Sequence, residues 1–163
     1  MNYSVYYLTL DDIKYIFTEL DSFFKRHNDP VPEFNSSYHH KIDSVLARAR
    51  DTFDQQDLYE DIYKKASCYF YFTNVSHPFM NGNKRMSIVS TYVFLRMNGY
   101  IFDAEEDEVY DFAKFVSDGH KDQTNTFEKV TTFIKNHTRR ESFIITWDIS
   151  TILKRFMMLY MKK

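Results

Sequence analysis

The sequence predicts an all-α domain, a helical bundle with room for one small β-hairpin. Three observations predict this class. Only three glycines and three prolines occur in 163 residues, whereas β-sandwiches, propellers and Rossmann domains need more turn residues. Apolar residues recur at helical spacing along most of the chain. Aromatic residues make up 18% of it and supply bulky side chains for a core. We therefore expect a single domain over 1–163.

The first half of the chain predicts two long helices. Thr9 is expected to cap the first one, because two aspartates follow it in the first turn, where the helix dipole favours acids. The segment 27–32 (HNDPVP) is expected to end this helix. The segment 41–50 (KIDSVLARAR) fits a short hairpin, a helix or a mobile flap. The second long helix is predicted over 57–74.

The second half predicts a loop and four more helices. Pro78 cannot lie inside a helix, so 76–83 (SHPFMNGN) is predicted to be a loop. A third helix over 84–98 should stop at Asn98-Gly99, a common left-handed end signal. The remaining helices are predicted over 105–116, 125–135 and 154–161, the last after an ambiguous segment, 141–150 (ESFIITWDIS). Residues 136–163 are expected to form a C-terminal extension of unknown role.

Charge and cysteine content exclude several classes of protein. The 21 basic and 23 acidic residues nearly balance, which argues against nucleic-acid or membrane-surface binding as the main function. No apolar run approaches the roughly 20 residues that span a bilayer, and the N-terminus lacks the layout of a secretory signal. Cys68 stands alone, so no disulfide is predicted. His39 and His40 are adjacent and point in different directions, so no metal site is predicted there. We expect a cytoplasmic protein.

The segment 77–85 (HPFMNGNKR) carries the strongest chemical signal. At the start of a helix, the N–H groups of the first turn face out of the helix, and Gly82 lets an anion approach the backbone. Lys84 and Arg85 add positive charge where the helix dipole is also positive. A phosphate chain is the natural ligand, although Asn83 is also a reasonable N-cap. His77 precedes this pocket, and histidine is a common general base near neutral pH.

This segment resembles the signature loop of the Fic/Doc family, H-x-F-x-(D/E)-(G/A)-N-(G/K)-R. Six fixed positions match: His77, Phe79, Gly82, Asn83, Lys84 and Arg85. The likeness extends over about 7–117, and the segment 94–100 (FLRMNGY) is similar to the Doc branch. No counterpart is found beyond residue 135.

The resemblance implies a Fic-like fold and a role for each matched residue. His77 would take the proton from a target hydroxyl, and Phe79 would anchor the loop in the core. Four residues would bind the phosphates of the nucleotide: Gly82, Asn83, Lys84 and Arg85. The segment 41–50 lies where the family has the flap that aligns a target peptide by strand addition. Lys84 stands where Doc, a protein kinase, has lysine, whereas family members that transfer AMP have glycine there.

Asn81 departs from the family pattern, which has Asp or Glu at this position to hold Mg²⁺. Mg²⁺ prefers carboxylate oxygens, so a neutral amide should weaken the metal site. Three outcomes stay open: metal held mainly by the nucleotide, altered chemistry, or an inactive domain that still binds its ligand.

The sequence therefore predicts a Fic/Doc-like transferase. It would move a phosphate or AMP from a nucleoside triphosphate to a Ser, Thr or Tyr hydroxyl of a target protein. The Doc likeness implies the toxin of a toxin–antitoxin pair. The family's internal inhibitory motif, (S/T)-x-x-x-E-(G/N), has no match, so the resemblance implies a separate antitoxin. The alternative is a nucleotide- or protein-binding module that has lost turnover through Asn81.

Overall fold

The computed structural model of the protein describes residues 4–26, 34–35, 38–118, 122–141 and 148–160. Within these residues the helices are α1 (Leu10–Arg26), α2 (His39–Arg48), α3 (Ile62–Ser76), α4 (Asn83–Met97), α5 (Glu106–Ser117), α6 (Gln123–Asn136) and α7 (Ile149–Tyr160). Two short antiparallel strand pairs complete the fold: β1 (Thr52–Phe53) with β2 (Gln56–Asp57), and β3 (Tyr100–Phe102) with β4 (Thr138–Arg140). The prediction of an all-α bundle with a small hairpin is confirmed.

Helices α3 and α4 form the centre of the core. They pack against each other; α3 also contacts α2, α5 and α6, and α4 contacts α1, α5, α7 and β3. Tyr69 and Phe70 on α3 are fully buried, as are Phe94 and Leu95 on α4. The rings of Tyr69 and Phe94 lie 4.8 Å apart. Neighbours surround both helices, so the loop between them is anchored in the core at each end.

The start of α1 follows the sequence prediction. The Asp12 N–H donates to Thr9 Oγ1 (3.2 Å), and the Thr9 N–H donates to Asp12 Oδ2 (2.8 Å). This reciprocal pair satisfies backbone donors that the first turn of a helix leaves without acceptors. The prediction of Thr9 as the N-cap is confirmed.

Of the three alternatives for the segment 41–50, the helix is confirmed, because the segment forms most of α2 and its end. The flap position that the resemblance implied for it is wrong. Ile42, Val45 and Leu46 form the buried face of α2, and this i, i+3, i+4 spacing is that of an amphipathic helix. The β1–β2 hairpin instead follows, over 52–57. Its turn residues, Asp54 and Gln55, have φ of 50° and 64°. This conformation usually selects Asn-Gly or Asp-Gly, which the sequence lacks here.

The prediction of a second long helix over 57–74 is wrong at its start. Asp57 lies in β2, and α3 begins at Ile62. Asp61 is the N-cap, because its carboxylate accepts the Lys64 N–H at 2.8 Å. The predicted helix therefore merged the second strand of the hairpin with α3.

The C-terminal part is confirmed for α5 and α6 and is corrected for α7, which begins five residues before the predicted 154. Asp148 sets this start, because its carboxylate accepts the N–H and the hydroxyl of Thr151, both at 2.9 Å. These hydrogen bonds lower the pKa of Asp148. Helix α7 packs on α4 through Tyr92 and Phe156, whose rings lie 5.1 Å apart. The predicted helix break at 27–32 and most of the ambiguous segment 141–150 lie outside the described residues.

No helix in the described ranges combines the length and the apolar character that crossing a membrane requires.

Candidate functional site

His77 lies where α3 ends and the signature loop begins. Its backbone is left-handed (φ 44°, ψ 62°), a conformation that commonly ends helices. Pro78, which follows, cannot continue the helix. The His77 side chain is exposed, and its imidazole has no hydrogen-bond partner within the part of the chain that the structure describes. Its ring nitrogens are accessible to a ligand or a substrate.

Phe79 fixes the middle of the loop to the core. Its side chain is only 5% exposed and stacks on Phe17 of α1, with ring centroids 5.3 Å apart and an angle of 24° between the planes. Tyr38 meets the same ring edge-on at 5.9 Å. This packing holds the loop against α1 and against Tyr38, the residue directly before α2.

Asn83 closes the loop around Phe79. Its Oδ1 accepts the Phe79 N–H at 2.9 Å, and its Nδ2 donates to the Phe79 carbonyl at 2.7 Å. The interpretation of Asn83 as the N-cap of α4 is wrong, because Gly82 is the N-cap and Asn83 is the first helical residue. The Asn83 side chain braces the loop, so its backbone N–H is the group best placed to meet a phosphate.

The first turn of α4 presents backbone donors beside the loop. Gly82 has φ of 81°, a left-handed value that favours glycine. The first intrahelical bond runs from the Met86 N–H to the Gly82 carbonyl at 2.8 Å. The N–H groups of Asn83, Lys84 and Arg85 come earlier in the helix than Met86, so they lie in the turn that has no intrahelical acceptors. They point out of the N-terminal end of α4. This is the geometry of an anion-binding helix start.

A cavity of about 280 Å³ joins these parts. The loop and the first turn of α4 line it together with two residues of α5: His77, Met80, Asn81, Gly82, Asn83, Lys84, Arg85, Tyr110 and Ser117. The predicted catalytic and phosphate-binding residues therefore share one cavity, whereas Phe79 lies behind it in the core.

Tyr110 and Ser117 are the cavity residues that sequence reasoning missed. They are seven residues apart, which is two turns, so both lie on one face of α5. Tyr110 is 44% exposed and contributes an aromatic ring to the lining, while Ser117 contributes a small polar residue. Their i, i+7 spacing was visible in the sequence, but the contact between α5 and α4 that brings them to the loop was not.

The cavity lining contains no carboxylate among the described residues, although it contains Lys84 and Arg85. Asn81 Oδ1 accepts the Gly82 N–H at 2.7 Å, so the side-chain oxygen of Asn81 is already engaged in a hydrogen bond. Mg²⁺ prefers carboxylate oxygens as ligands, so these cavity residues do not fit a protein-held Mg²⁺. Elsewhere in the described residues, His, Cys, Asp and Glu form no group of three suited to a metal.

The β1–β2 hairpin is fixed to α3 by a charged contact. Lys65 is 2% exposed, and its Nζ lies 2.7 Å from Asp57 Oδ2 and 5.6 Å from the centre of the Tyr7 ring. Burial alone would lower the pKa of Lys65, but its hydrogen bond to Asp57 and its interaction with Tyr7 outweigh burial and raise the pKa. The lysine therefore stays charged and anchors the hairpin to α3. The four strand residues of the hairpin are all exposed, so the hairpin has little buried surface of its own.

Replacing Asp57 with asparagine is expected to destabilise the protein by about 1–3 kcal/mol, because the buried ammonium of Lys65 loses its carboxylate. Backbone amides of 52–57 should then exchange hydrogen faster. Thermal unfolding and hydrogen exchange measure both effects. Asp54→Asn is the matched control, since it removes the same charge from the exposed turn of the hairpin. Equal effects of the two variants would contradict the anchoring role of Asp57.

Comparison with known proteins identifies the family. A family model described as the Fic/DOC family matches residues 7–95, which is more than half of the chain. The chain belongs to the Fic/DOC family. The match covers α1 to α3 and all of α4 but its last two residues, and therefore includes the whole signature loop. Within this Fic/DOC chain, α5 contributes to the cavity from beyond the matched region. No curated protein and no solved structure matches the chain.

Proposed function

We propose that the protein is a transferase that moves a phosphate or AMP from a nucleoside triphosphate to a hydroxyl side chain of a target protein. One observation carries the proposal: in a Fic/DOC chain, His77 lines the same cavity as the first turn of α4. A proton acceptor beside an anion-binding helix start is what transfer of a phosphate-containing group to a hydroxyl requires.

The chemistry follows from these positions. The hydroxyl oxygen of the target attacks a phosphorus atom of the nucleotide, and its proton passes to the imidazole of His77. Attack at the γ-phosphorus releases the nucleoside diphosphate, and attack at the α-phosphorus releases pyrophosphate. The N–H groups of Asn83, Lys84 and Arg85 and the two cationic side chains stabilise the phosphate charge. Lys84, as in the Doc branch, favours the γ-phosphorus.

Incubation with ATP labelled at the γ- or the α-phosphate, in the presence of cell lysate as a source of target proteins, tests the proposal. Transfer of the γ-label to protein identifies phosphate transfer, and transfer of the α-label identifies AMP transfer. Absence of both contradicts the transferase proposal.

A second candidate function is a nucleotide-binding module without turnover. The absence of a carboxylate from the described cavity lining favours it, because nothing replaces the acidic residue of the family at Asn81. ATP binding without transfer of either label would support this function.

We also propose that inhibition of the transferase comes from a separate antitoxin chain. The proposal is supported by the sequence, in which no segment matches the internal inhibitory motif of the family.

Tyr110 is proposed to stack on the base or the ribose of the nucleotide. Tyr110→Ala is expected to weaken ATP binding about fivefold to a hundredfold, which corresponds to the usual value of a base–aromatic stack. Calorimetric titration with ATP measures the change. Tyr15→Ala removes a similarly exposed ring from α1, outside the cavity lining, and should leave the affinity at the wild-type level. An unchanged affinity of the Tyr110 variant would rule out the stack.

A further inference from the structure

A buried polar pair joins the last turn of α3 to the first turns of α4. Asn74 and Ser87 are both 0% exposed. Asn74 Nδ2 donates to the Ser87 hydroxyl at 2.8 Å and to the Phe70 carbonyl at 2.9 Å. The Ser87 hydroxyl in turn donates to the Lys84 carbonyl at 2.7 Å. Hydrogen bonds therefore run from a residue three positions before His77 to the backbone of the phosphate-binding turn.

The chemistry of the amide fixes the direction of these bonds. Both partners of Nδ2 are acceptors here, since the Ser87 hydroxyl uses its single hydrogen on the Lys84 carbonyl. A flipped amide would place Oδ1 against the Phe70 carbonyl, so only one orientation is satisfied. In that orientation Asn74 Oδ1 is buried and has no hydrogen-bond partner among the residues that the structure describes.

The Asn74 amide has hydrogen-bond partners for its nitrogen but none for its oxygen among the described residues, so it is not the side chain that would stabilise this position most. A buried acceptor without a donor destabilises the fold, and an apolar residue of the same size avoids that loss. Apolar packing, however, is not directional and permits small shifts of one helix along another. A hydrogen bond between α3 and α4 fixes their register at the point where His77 and Lys84 face the same cavity.

We propose that Asn74 and Ser87 are positioning residues that set the distance between the His77 imidazole and the phosphate-binding turn of α4. This inference rests on the proposed transferase function. Neither residue lines the cavity, so both act through the residues that do. A misplacement of about 1 Å between reacting groups costs on the order of a hundredfold in rate.

Asn74→Leu is expected to lower the rate of label transfer about tenfold to a hundredfold and to leave the melting temperature unchanged or raised. ATP affinity should stay within about threefold of wild type, because the donors that bind phosphate are retained. Ser87→Ala should lower the rate similarly. The double variant should be no slower than the slower single variant, since one connection is broken in each case.

Asn98→Leu provides a matched control at the far end of α4, roughly 20 Å from the phosphate-binding turn. Asn98 Nδ2 also donates to the carbonyl four residues earlier, Phe94, at 2.7 Å. Its Oδ1, unlike that of Asn74, accepts a backbone N–H, that of Tyr6, at 2.8 Å. Asn98→Leu should therefore lower the melting temperature while transfer by the folded protein stays at the wild-type rate. This is the opposite pattern to Asn74→Leu.

A second readout does not need turnover. The proton NMR signal of the His77 ring should shift when ATP is added to the wild-type protein, and this shift should shrink in Asn74→Leu. If the wild type binds ATP but transfers no label, the transferase function fails, while a reduced shift still supports the positioning pair. If Asn74→Leu retains both the wild-type transfer rate and the wild-type shift, the positioning pair is overturned.

Discussion

His77→Ala is expected to lower the rate of label transfer from ATP by about 10²- to 10⁴-fold, the usual contribution of a general base. The structure gives the physical reason. His77 lies at the end of α3 with an exposed imidazole, and it lines the cavity that the start of α4 also lines. Without it, no other histidine of the described residues lines that cavity to accept the proton of the incoming hydroxyl.

ATP affinity should change little in His77→Ala, because the N–H groups of 83–85 and the side chains of Lys84 and Arg85 are retained. Labelled transfer and calorimetric titration measure the two properties separately. His40→Ala is the matched control, since His40 is an exposed histidine on α2 outside the cavity lining. A His77 variant that transfers at the wild-type rate would remove the base from the mechanism.

Asn81→Asp is expected to make transfer depend on Mg²⁺ and to raise its rate in saturating Mg²⁺ by about tenfold or more. One carboxylate oxygen can keep accepting the Gly82 N–H, as Asn81 Oδ1 does at 2.7 Å. The second oxygen then supplies an anionic ligand that the described lining of the cavity lacks.

Titration of the transfer rate with Mg²⁺ measures this effect in the wild type and the variant. Asn136→Asp adds the same charge to α6, outside this cavity, and controls for the change in net charge. A variant with the Mg²⁺ dependence of the wild type would show that residue 81 does not face the metal.

The sequence predicted the signature loop well because its signals are local. Pro78 excludes a helix, Gly82 permits a tight turn, and the α4 end at Asn98-Gly99 has its own stop signal. The N-cap itself was missed, because it is Gly82 rather than the expected Asn83. The first turn of α1 was equally predictable, since Thr9 and Asp12 satisfy each other three residues apart. Each of these features depends on neighbouring residues alone.

The hairpin was not predictable from local signals. Asp54 and Gln55 adopt positive φ without a glycine, and the hairpin is held through Asp57 by Lys65, a residue of the following helix. The flap was therefore expected about ten residues too early, over a segment whose apolar spacing forms α2. The contacts that fix the hairpin form only once α3 is in place.

The rest of the candidate site also depends on contacts between distant parts of the chain. Tyr110 and Ser117 look like ordinary surface residues of α5 until that helix packs against α4. Strands β3 and β4 pair residues that lie far apart in the sequence, such as Tyr100 with Arg140. Each strand has three residues and no alternating pattern that would reveal it. Long-range packing, rather than local preference, decided these features.

Both proposed functions require that the segment 77–85 binds the phosphates of a nucleotide. A backbone amide NMR titration of the wild-type protein with ATP tests this binding. If the phosphates bind there, the largest shifts occur at the N–H groups of residues 82–85. Largest shifts at the separate groove between α5 and α6, which Phe112 and Phe133 line, or no shifts at saturating ATP, would contradict it.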